Sequence, residues 1–177
     1  MLEVAVNGTL NVLKACHEYQ VKKCVVTGST DAVLYPAKED AAPEGTAWTE
    51  NSWSNPDRPG GLDIYPLSKT MAELKALEYQ RSLPEDERFD LIFLHPAFMI
   101  GPPLTRESTS TTGAIKSMFT AQDVKKSTWD FVDVRDVALA HLQAVKIEST
   151  LNRRFIICAG ELWWKQVAGW LATEFNP

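Results

Sequence analysis

The sequence predicts an α/β fold with a mainly parallel sheet, and three observations support this prediction. Segments with apolar residues at helical spacing alternate with short runs of apolar and β-branched residues. This alternation of helix and strand along the whole chain is typical of parallel sheets covered by helices. The runs 23–28 and 89–95 are also strongly apolar, as expected of strands that are buried on both faces.

Composition narrows the class of protein. The chain has 177 residues, of which 45% are hydrophobic and 23% charged, with a formal net charge of −5. These values fit one globular domain and argue against a nucleic-acid partner, which would need clustered basic residues. No apolar run approaches the roughly 20 residues that span a membrane, and the N-terminus does not resemble a signal peptide. Three widely spaced cysteines indicate reduced thiols in a cytoplasmic protein rather than a disulfide framework or a metal site.

The first half of the chain contains two predicted helices and one strand. Residues 2–19 have apolar side chains at helical spacing, and residues 23–28 form a short buried strand closed by a glycine. Residues 36–62 are rich in Pro, Gly, Asn and Asp and predict a long surface excursion. A second helix is predicted from Tyr65 to Ser82, because Pro66 suits a first helical turn and Pro84 prevents continuation.

The second half repeats the alternation with shorter elements. Residues 89–95 predict a buried strand that Pro96 ends, and 101–115, rich in Pro, Ser, Thr and Gly, predict a loop. The remaining expected elements are a strand at 129–134, a helix at 134–145, a strand at 154–158 and a helix at 164–175. In parallel sheets, ligands bind outside the carboxyl ends of the strands, which draws attention to residues 27–30 and 96–101.

Tyr65 and Lys69 are the strongest candidates for chemistry. They stand four residues apart on a predicted helix, so both side chains lie on one face. A cation beside a phenol favours the phenolate, so we predict that Lys69 lowers the pKa of Tyr65. Such a phenol can exchange a proton with a carbonyl or alcohol oxygen, and a strand-end hydroxyl such as Ser29 could hold that oxygen. The spacing alone is not specific, because it equally fits an exposed helix face whose lysine extends to solvent.

Several stretches along the chain raise the specificity of this pair. In order, they are Val6–Ala15, Val21–Thr30, Ala32–Val33, Trp48–Trp53, Tyr65–Glu73, Pro96–Pro102 and Phe131–Ala138 with His141. Together they make the chain resemble the extended short-chain dehydrogenase/reductase family, in the branch of dihydroflavonol and cinnamoyl-CoA reductases within the NAD-dependent epimerase/dehydratase superfamily. The resemblance covers nearly the whole chain.

The resemblance implies catalytic roles for matching residues. Tyr65 would be the general acid in carbonyl reduction, and Lys69 would lower its pKa and hold the nicotinamide ribose. Ser29 matches the second serine of the family's strand-end pair and would polarise the substrate oxygen. Gly28 stands where the family has the first serine. Asn7 matches a position that supports a proton relay in the family, although its role in this branch is less fixed.

The resemblance also implies a fold, a cofactor and partners. The fold would be a partial Rossmann-like doubly wound parallel sheet, with catalytic residues in 1–101 and a small substrate-binding region in 102–177. NADP is the implied cofactor, with NAD left open, and its nicotinamide would lie along the backbone of Pro96, Ala97, Phe98 and Met99. A small carbonyl or alcohol compound would be the substrate. The helices 2–19 and 66–82 could form a homodimer interface, as in relatives.

The glycine-rich turn of a dinucleotide site is not found in this sequence. None of the nine glycines has the required spacing after a strand, and the resemblance begins in the middle of the family's pattern. We therefore expect the chain to correspond to the catalytic and substrate part of a reductase. Two alternatives stay open: a non-catalytic remnant or regulatory binder, and an epimerase or hydroxysteroid dehydrogenase of the same family.

Other polar and aromatic residues receive structural interpretations. The cluster of Asp133, Arg135 and Asp136 is typical of an ion pair with helix capping. His141 is expected to pack or lie at the surface, and Trp163-Trp164 are expected to be partly in the core. Trp48 and Trp53 fit a substrate pocket and ordinary loop packing equally well.

Overall fold

Helices and strands follow one another in the predicted alternation. The computed structural model describes residues 1–35, 47–105, 110–118, 127–148 and 152–175. The helices are α1 (Leu2–Glu18), α2 (Ile64–Ser82), α3 (Ser110–Met118), α4 (Val134–Lys146) and α5 (Trp164–Phe175). The strands are β1 (Lys23–Thr27), β2 (Asp90–Pro96), β3 (Phe98–Ile100), β4 (Thr128–Asp133), β5 (Arg154–Ile157) and β6 (Gly160–Trp163).

The strands form two three-stranded sheets among the described residues. One has the order β1-β2-β5 and the other the order β3-β4-β6. β1 and β2 are parallel, in a register that runs from Lys23 opposite Asp90 to Thr27 opposite Leu94. β3 and β4 are also parallel, whereas β4 and β6 are antiparallel. The prediction of an α/β fold with parallel strands is therefore confirmed, and an antiparallel edge is added to it.

Three elements differ from the sequence predictions. The strands β3 and β6 were not expected, because three or four residues beside a proline or a glycine carry almost no periodic signal. The expectation of a loop over 101–115 is wrong from Ser110 onward, where α3 begins. Residues 47–62 contain no helix or strand, as predicted, and 36–46 lie outside the described residues.

The chain divides into two compact units. The first comprises residues 1–95 and 140–156, and the second comprises residues 96–139 and 157–177. The chain passes between them within β2, α4 and β5. The predicted functional division into 1–101 and 102–177 concerns what each part binds, and it stays a prediction.

The first unit has a core in which α1 and α2 pack together against the sheet. Its buried members are Leu13, Ala76, Leu83, Phe89, Leu91 and Phe93. Burial of such side chains contributes about 1.5–3 kcal/mol each relative to full exposure.

Among the described residues, no helix is long and apolar enough to cross a membrane.

Replacing Leu13 by Ala should weaken this core. Leu13 is 0% exposed, so the truncation leaves a cavity and is expected to lower the free energy of unfolding by about 2–5 kcal/mol. Val12 precedes it on α1 and is 58% exposed, so Val12→Ala is the matched control and should cost far less. Urea unfolding measures both values, and equal losses would contradict the packing described here.

The second unit has its own smaller core. Ala97, Val132 and Val137 are buried, and Met99 and Ile157 pack against them. The rings of Phe98, Trp129 and Trp164 also meet, with centroid separations between 4.8 and 5.4 Å. The prediction for the tryptophan pair is half right: Trp164 is 8% exposed, but Trp163 is 53% exposed. The two residues separate because Trp163 ends β6 whereas Trp164 begins α5.

Candidate active site

Ser29 follows β1 and caps a short 3-10 helix that covers Thr30–Ala32. Its Oγ accepts a hydrogen bond from the main-chain N–H of Asp31 at 3.2 Å and lies 3.2 Å from the Asp31 Oδ2, to which it can donate. Ser29 is a buried residue, only 7% exposed. The capping role fixes the hydroxyl at the carboxyl end of the strand, where ligands of parallel sheets bind.

Tyr65 and Lys69 lie in the first turns of α2. The helix begins at Ile64 and has Pro66 in its first turn, where a missing N–H is tolerated. Tyr65 is 45% exposed, so its ring can be reached from solvent. The Lys69 Nζ lies over this ring at 5.6 Å from the centroid, within the range of a cation–π contact.

The structure brings Ser29 and Tyr65 together. A hydrogen bond between their side chains acts to lower the pKa of the Tyr65 phenol. Partial burial of the phenol is the larger effect, and together with the negative charge of Asp31 it raises the pKa of Tyr65 overall. The sequence predicted that Lys69 lowers the pKa of Tyr65. This prediction is wrong, because the pKa of Tyr65 is raised overall and the charge of Lys69 is not among the causes of its shift. The lysine faces the ring, and burial of its own ammonium lowers the pKa of Lys69.

Asp31 is a member of this site that the sequence reasoning missed. Burial raises the pKa of Asp31, while hydrogen bonds with Ser29 and Tyr35 and the charge of Lys69 act in the opposite direction. Asp31 lies two residues after Ser29, and this spacing could have indicated a hydrogen bond between the two residues. Its proximity to Tyr35 and Lys69 depends on how separate segments pack, which local sequence does not encode.

Lys69 has the properties needed to hold a hydroxyl-bearing ligand. In the part of the chain that the structure describes, no protein oxygen accepts a hydrogen bond from its ammonium, although Asp31 attracts it electrostatically. A half-buried ammonium with unused donors fits a ribose with vicinal hydroxyls. The residues present therefore fit the nicotinamide ribose that the resemblance implies.

The predicted nicotinamide strip at Pro96–Met99 belongs entirely to the second unit. The Ala97 N–H donates to the Ile157 carbonyl oxygen at 3.0 Å, so this N–H is already bonded. Phe98 and Met99 lie in β3 and pair with Phe131 and Val132 of β4. The role of this strip in cofactor binding stays a prediction.

The structural interpretation of the charged cluster on α4 is confirmed. The Asp133 carboxylate accepts hydrogen bonds from the main-chain N–H of Arg135 at 2.8 Å and from its Nη2 at 2.6 Å. These bonds lower the pKa of Asp133 to about 2. Asp133 directly precedes α4 and satisfies an N–H of its first turn. No group of three metal-ligating side chains occurs among the described residues.

The other residues singled out from the sequence are His141, Asn7 and Trp53, and the structure shows where each of them lies. His141 Nε2 lies 2.8 Å from the Thr27 Oγ1, and Asn7 is exposed on α1. The guanidinium of Arg154 lies 3.6 Å from the centroid of the Trp53 ring. Trp53 thus stacks on a charged side chain, which supports the loop-packing alternative for this residue.

Titration should reveal the raised pKa of Tyr65. The difference in absorbance between the wild type and Tyr65→Phe isolates this phenolate, and its midpoint is expected above the ordinary value of about 10. In Ser29→Ala the hydrogen bond that lowers the pKa is lost, so the midpoint should move further up. The Tyr65 phenol should therefore stay protonated at neutral pH and lose its proton as pH rises through that midpoint. A midpoint at or below the ordinary value would contradict this description.

The fold and the site together define a class of protein. A strand-end serine and a tyrosine with a lysine four residues later, on an α/β fold with parallel strands, are the features of extended short-chain dehydrogenases/reductases. The chain belongs to the 3-beta hydroxysteroid dehydrogenase/isomerase family, whose sequence model matches residues 1–160.

Individual relatives agree with this assignment. The chain is 30% identical over 190 residues to YDR541C of Saccharomyces cerevisiae, which is named as an uncharacterized oxidoreductase, covering 99% of this chain and 55% of that protein. It is 33% identical over 156 residues to cinnamoyl-CoA reductase 1 of Arabidopsis thaliana, covering 86% and 43%. The crystal structure of Gre2 from Candida albicans in complex with NADPH superposes with a TM-score of 0.84 at 26% identity, covering 99% of this chain and 55% of Gre2. The chain thus spans about half the length of the curated relatives it matches.

Proposed function

We propose that the protein carrying this chain is an NADP-dependent reductase that converts a carbonyl group of a small molecule to an alcohol, with Tyr65 as the general acid. The observation that carries this proposal is the grouping of Tyr65 with Lys69, whose ammonium lies 5.6 Å from the ring centroid, and with Ser29, which acts on the pKa of the phenol. Relatives named as oxidoreductases and reductases support it.

Each candidate residue of the first unit would have a separate role in the reaction. Ser29 would donate a hydrogen bond to the carbonyl oxygen and stabilise the negative charge that develops on it. Tyr65 would give that oxygen its proton, and its raised pKa keeps the phenol protonated at neutral pH. When bound, the reduced nicotinamide supplies the hydride. Lys69 would hold the ribose through the donors that no protein oxygen uses among the described residues.

The cofactor and the regions of the chain follow from the same proposal. NADP is preferred because the similar Gre2 structure is a complex with NADPH, and NAD is the competing cofactor in the test below. Residues 1–101 would carry the catalytic groups, the main chain of Pro96–Met99 would line the nicotinamide, and 102–177 would contribute to substrate binding. The helices α1 and α2 would form a homodimer interface, at which Val4 of α1 and Tyr19, directly after α1, are 77% and 75% exposed.

An assay of cofactor consumption tests the proposed reaction. The purified protein is mixed with NADPH or NADH and a panel of aldehydes and ketones, and loss of the reduced nicotinamide is followed by absorbance. We expect carbonyl-dependent oxidation with NADPH and less with NADH. Calorimetry with NADP(H) is run on the same preparation. A folded protein, as judged by circular dichroism, that neither binds NADP(H) nor consumes it would overturn the proposal and favour the non-catalytic alternative.

A further inference from the structure

The main-chain N–H of Ser29 depends on a single acceptor. It donates to Nδ1 of His95 at 3.3 Å, and His95 is 0% exposed. Elsewhere in the described ranges, no other atom accepts a hydrogen bond from this N–H. The same Nδ1 lies 3.0 Å from the Ser29 carbonyl oxygen, which also accepts a hydrogen bond from the N–H of Ala32 at 3.0 Å. A buried N–H without an acceptor destabilises a protein, so the His95 ring is needed where it lies.

The state of the His95 ring follows from its other neighbours. Nε2 lies 3.2 Å from Oε1 of Glu73, and the same oxygen accepts a hydrogen bond from Nε of Arg154 at 2.7 Å. A carboxylate paired with a guanidinium can only accept, so Nε2 of His95 must carry a proton. A singly protonated ring accepts at Nδ1 from the N–H of Ser29, whereas a doubly protonated ring donates from Nδ1 to the Ser29 carbonyl oxygen. In both states the ring binds the main chain of Ser29. The buried pair of Glu73 and Arg154 thus determines how the histidine meets Ser29.

Gly28 provides the space that the His95 ring occupies. A Cβ added at Gly28 would lie 2.6 Å from Nδ1 and 2.8 Å from Cε1 of His95, which is closer than real Cβ contacts. The ring is fully buried and bonded at both nitrogens, so it has no room to move aside. Gly28 is also the position at which the sequence departs from the serine pair of the family it resembles. The glycine and the histidine therefore form a matched pair.

We propose that His95 is a positioning residue, which holds the main chain of Ser29 so that its hydroxyl meets Tyr65, and that Gly28 is glycine because the ring needs its space. The inference rests on the proposed function, since it assigns the support of the same site. His95 acts through Ser29 and has no contact with substrate in this proposal.

Two substitutions at His95 separate its two nitrogens. In His95→Asn the amide oxygen can take the place of Nδ1, while His95→Gln reaches the place of Nε2 and leaves the Ser29 N–H without an acceptor. We expect His95→Gln to lower kcat roughly tenfold to 100-fold, the loss typical of a displaced reacting group, with little change in KM. His95→Asn should retain most of kcat, although both variants lose stability. Equal values of kcat in the two variants would overturn the positioning role.

A second measurement tests the pairing of glycine and histidine without catalysis. With His95 present, Gly28→Ala should raise the equilibrium constant of unfolding roughly tenfold to 100-fold through overpacking. In the background His95→Ala, where the ring is gone, the same change should have far less effect, which double-mutant analysis detects. An equal effect of Gly28→Ala in both backgrounds would overturn the pairing.

Hydrogen exchange at the Ser29 amide distinguishes failure of this inference from failure of the proposed function. The amide should exchange slowly in the wild type and in His95→Asn, and at least about fivefold faster in His95→Gln, because a hydrogen bond of roughly 1 kcal/mol or more is lost. Slow exchange in His95→Gln would overturn the inference whatever the protein catalyses. Turnover that survives Tyr65→Phe would instead overturn the proposed function.

Discussion

Tyr65→Phe is expected to lower kcat for carbonyl reduction by about 100- to 10,000-fold, the usual contribution of a general acid. The substitution removes only the phenol oxygen, so the ring that contacts the Lys69 ammonium is retained. The affinity for cofactor should therefore change little, while the substrate oxygen loses its proton donor. Steady-state kinetics with saturating NADPH and a reducible aldehyde measure the effect.

Tyr79→Phe is the matched control for this experiment. Tyr79 lies on the same helix, α2, and packs against the core of the first unit rather than beside Ser29. Its loss of a phenol oxygen should leave kcat nearly unchanged. If the two variants had similar kcat values, the role assigned to Tyr65 would be wrong.

Glu73→Ala is expected to destabilise the protein by about 3–5 kcal/mol, because it leaves the charge of Arg154 without its buried partner. The side chains of Glu73 and Arg154 are 2% and 11% exposed, and the carboxylate takes two hydrogen bonds from the guanidinium, at 2.7 and 3.3 Å. His95 would lose its acceptor at the same time. The free energy of unfolding in urea measures the loss.

Glu78→Ala provides a matched comparison on the same helix. Glu78 pairs with Lys75, but their side chains are 67% and 44% exposed, so solvent screens the pair. Exposed pairs of this kind contribute about 0–1 kcal/mol. Comparable losses for Glu73→Ala and Glu78→Ala would show that the buried charge of Arg154 finds compensation elsewhere.

The positions of the longer elements were predictable because they carry a strong local signal. Helix α2 was expected from 65 to 82 and spans Ile64–Ser82, since prolines restrict both of its ends. The strand β2 was expected from its apolar run and continues to Pro96. β3 and β6 were missed because their short stretches are stabilised by pairing with β4 rather than by their own residues.

The sequence predicted most residues of the candidate site, but it did not predict how their surroundings shift the pKa of Tyr65. Ser29, Tyr65 and Lys69 were identified from a motif and a resemblance, and in the structure Ser29 lies near enough to Tyr65 to act on its pKa. The direction of the Tyr65 pKa shift was wrong because burial depends on every segment that packs around the phenol. Asp31 was missed for the same reason.

The sequence by itself determined the alternation of helices and strands, the spacing of Tyr65 and Lys69 on one helix face, and the hydroxyl at the end of β1. Each of these follows from residues close together in the chain, through backbone propensity and periodicity. Only the tertiary structure decided that His95 supports the main chain of Ser29, that Gly28 leaves room for its ring, and that burial raises the pKa of Tyr65. These features join residues far apart in sequence, and their energies depend on exclusion of water and on close packing, which arise only when the chain has folded.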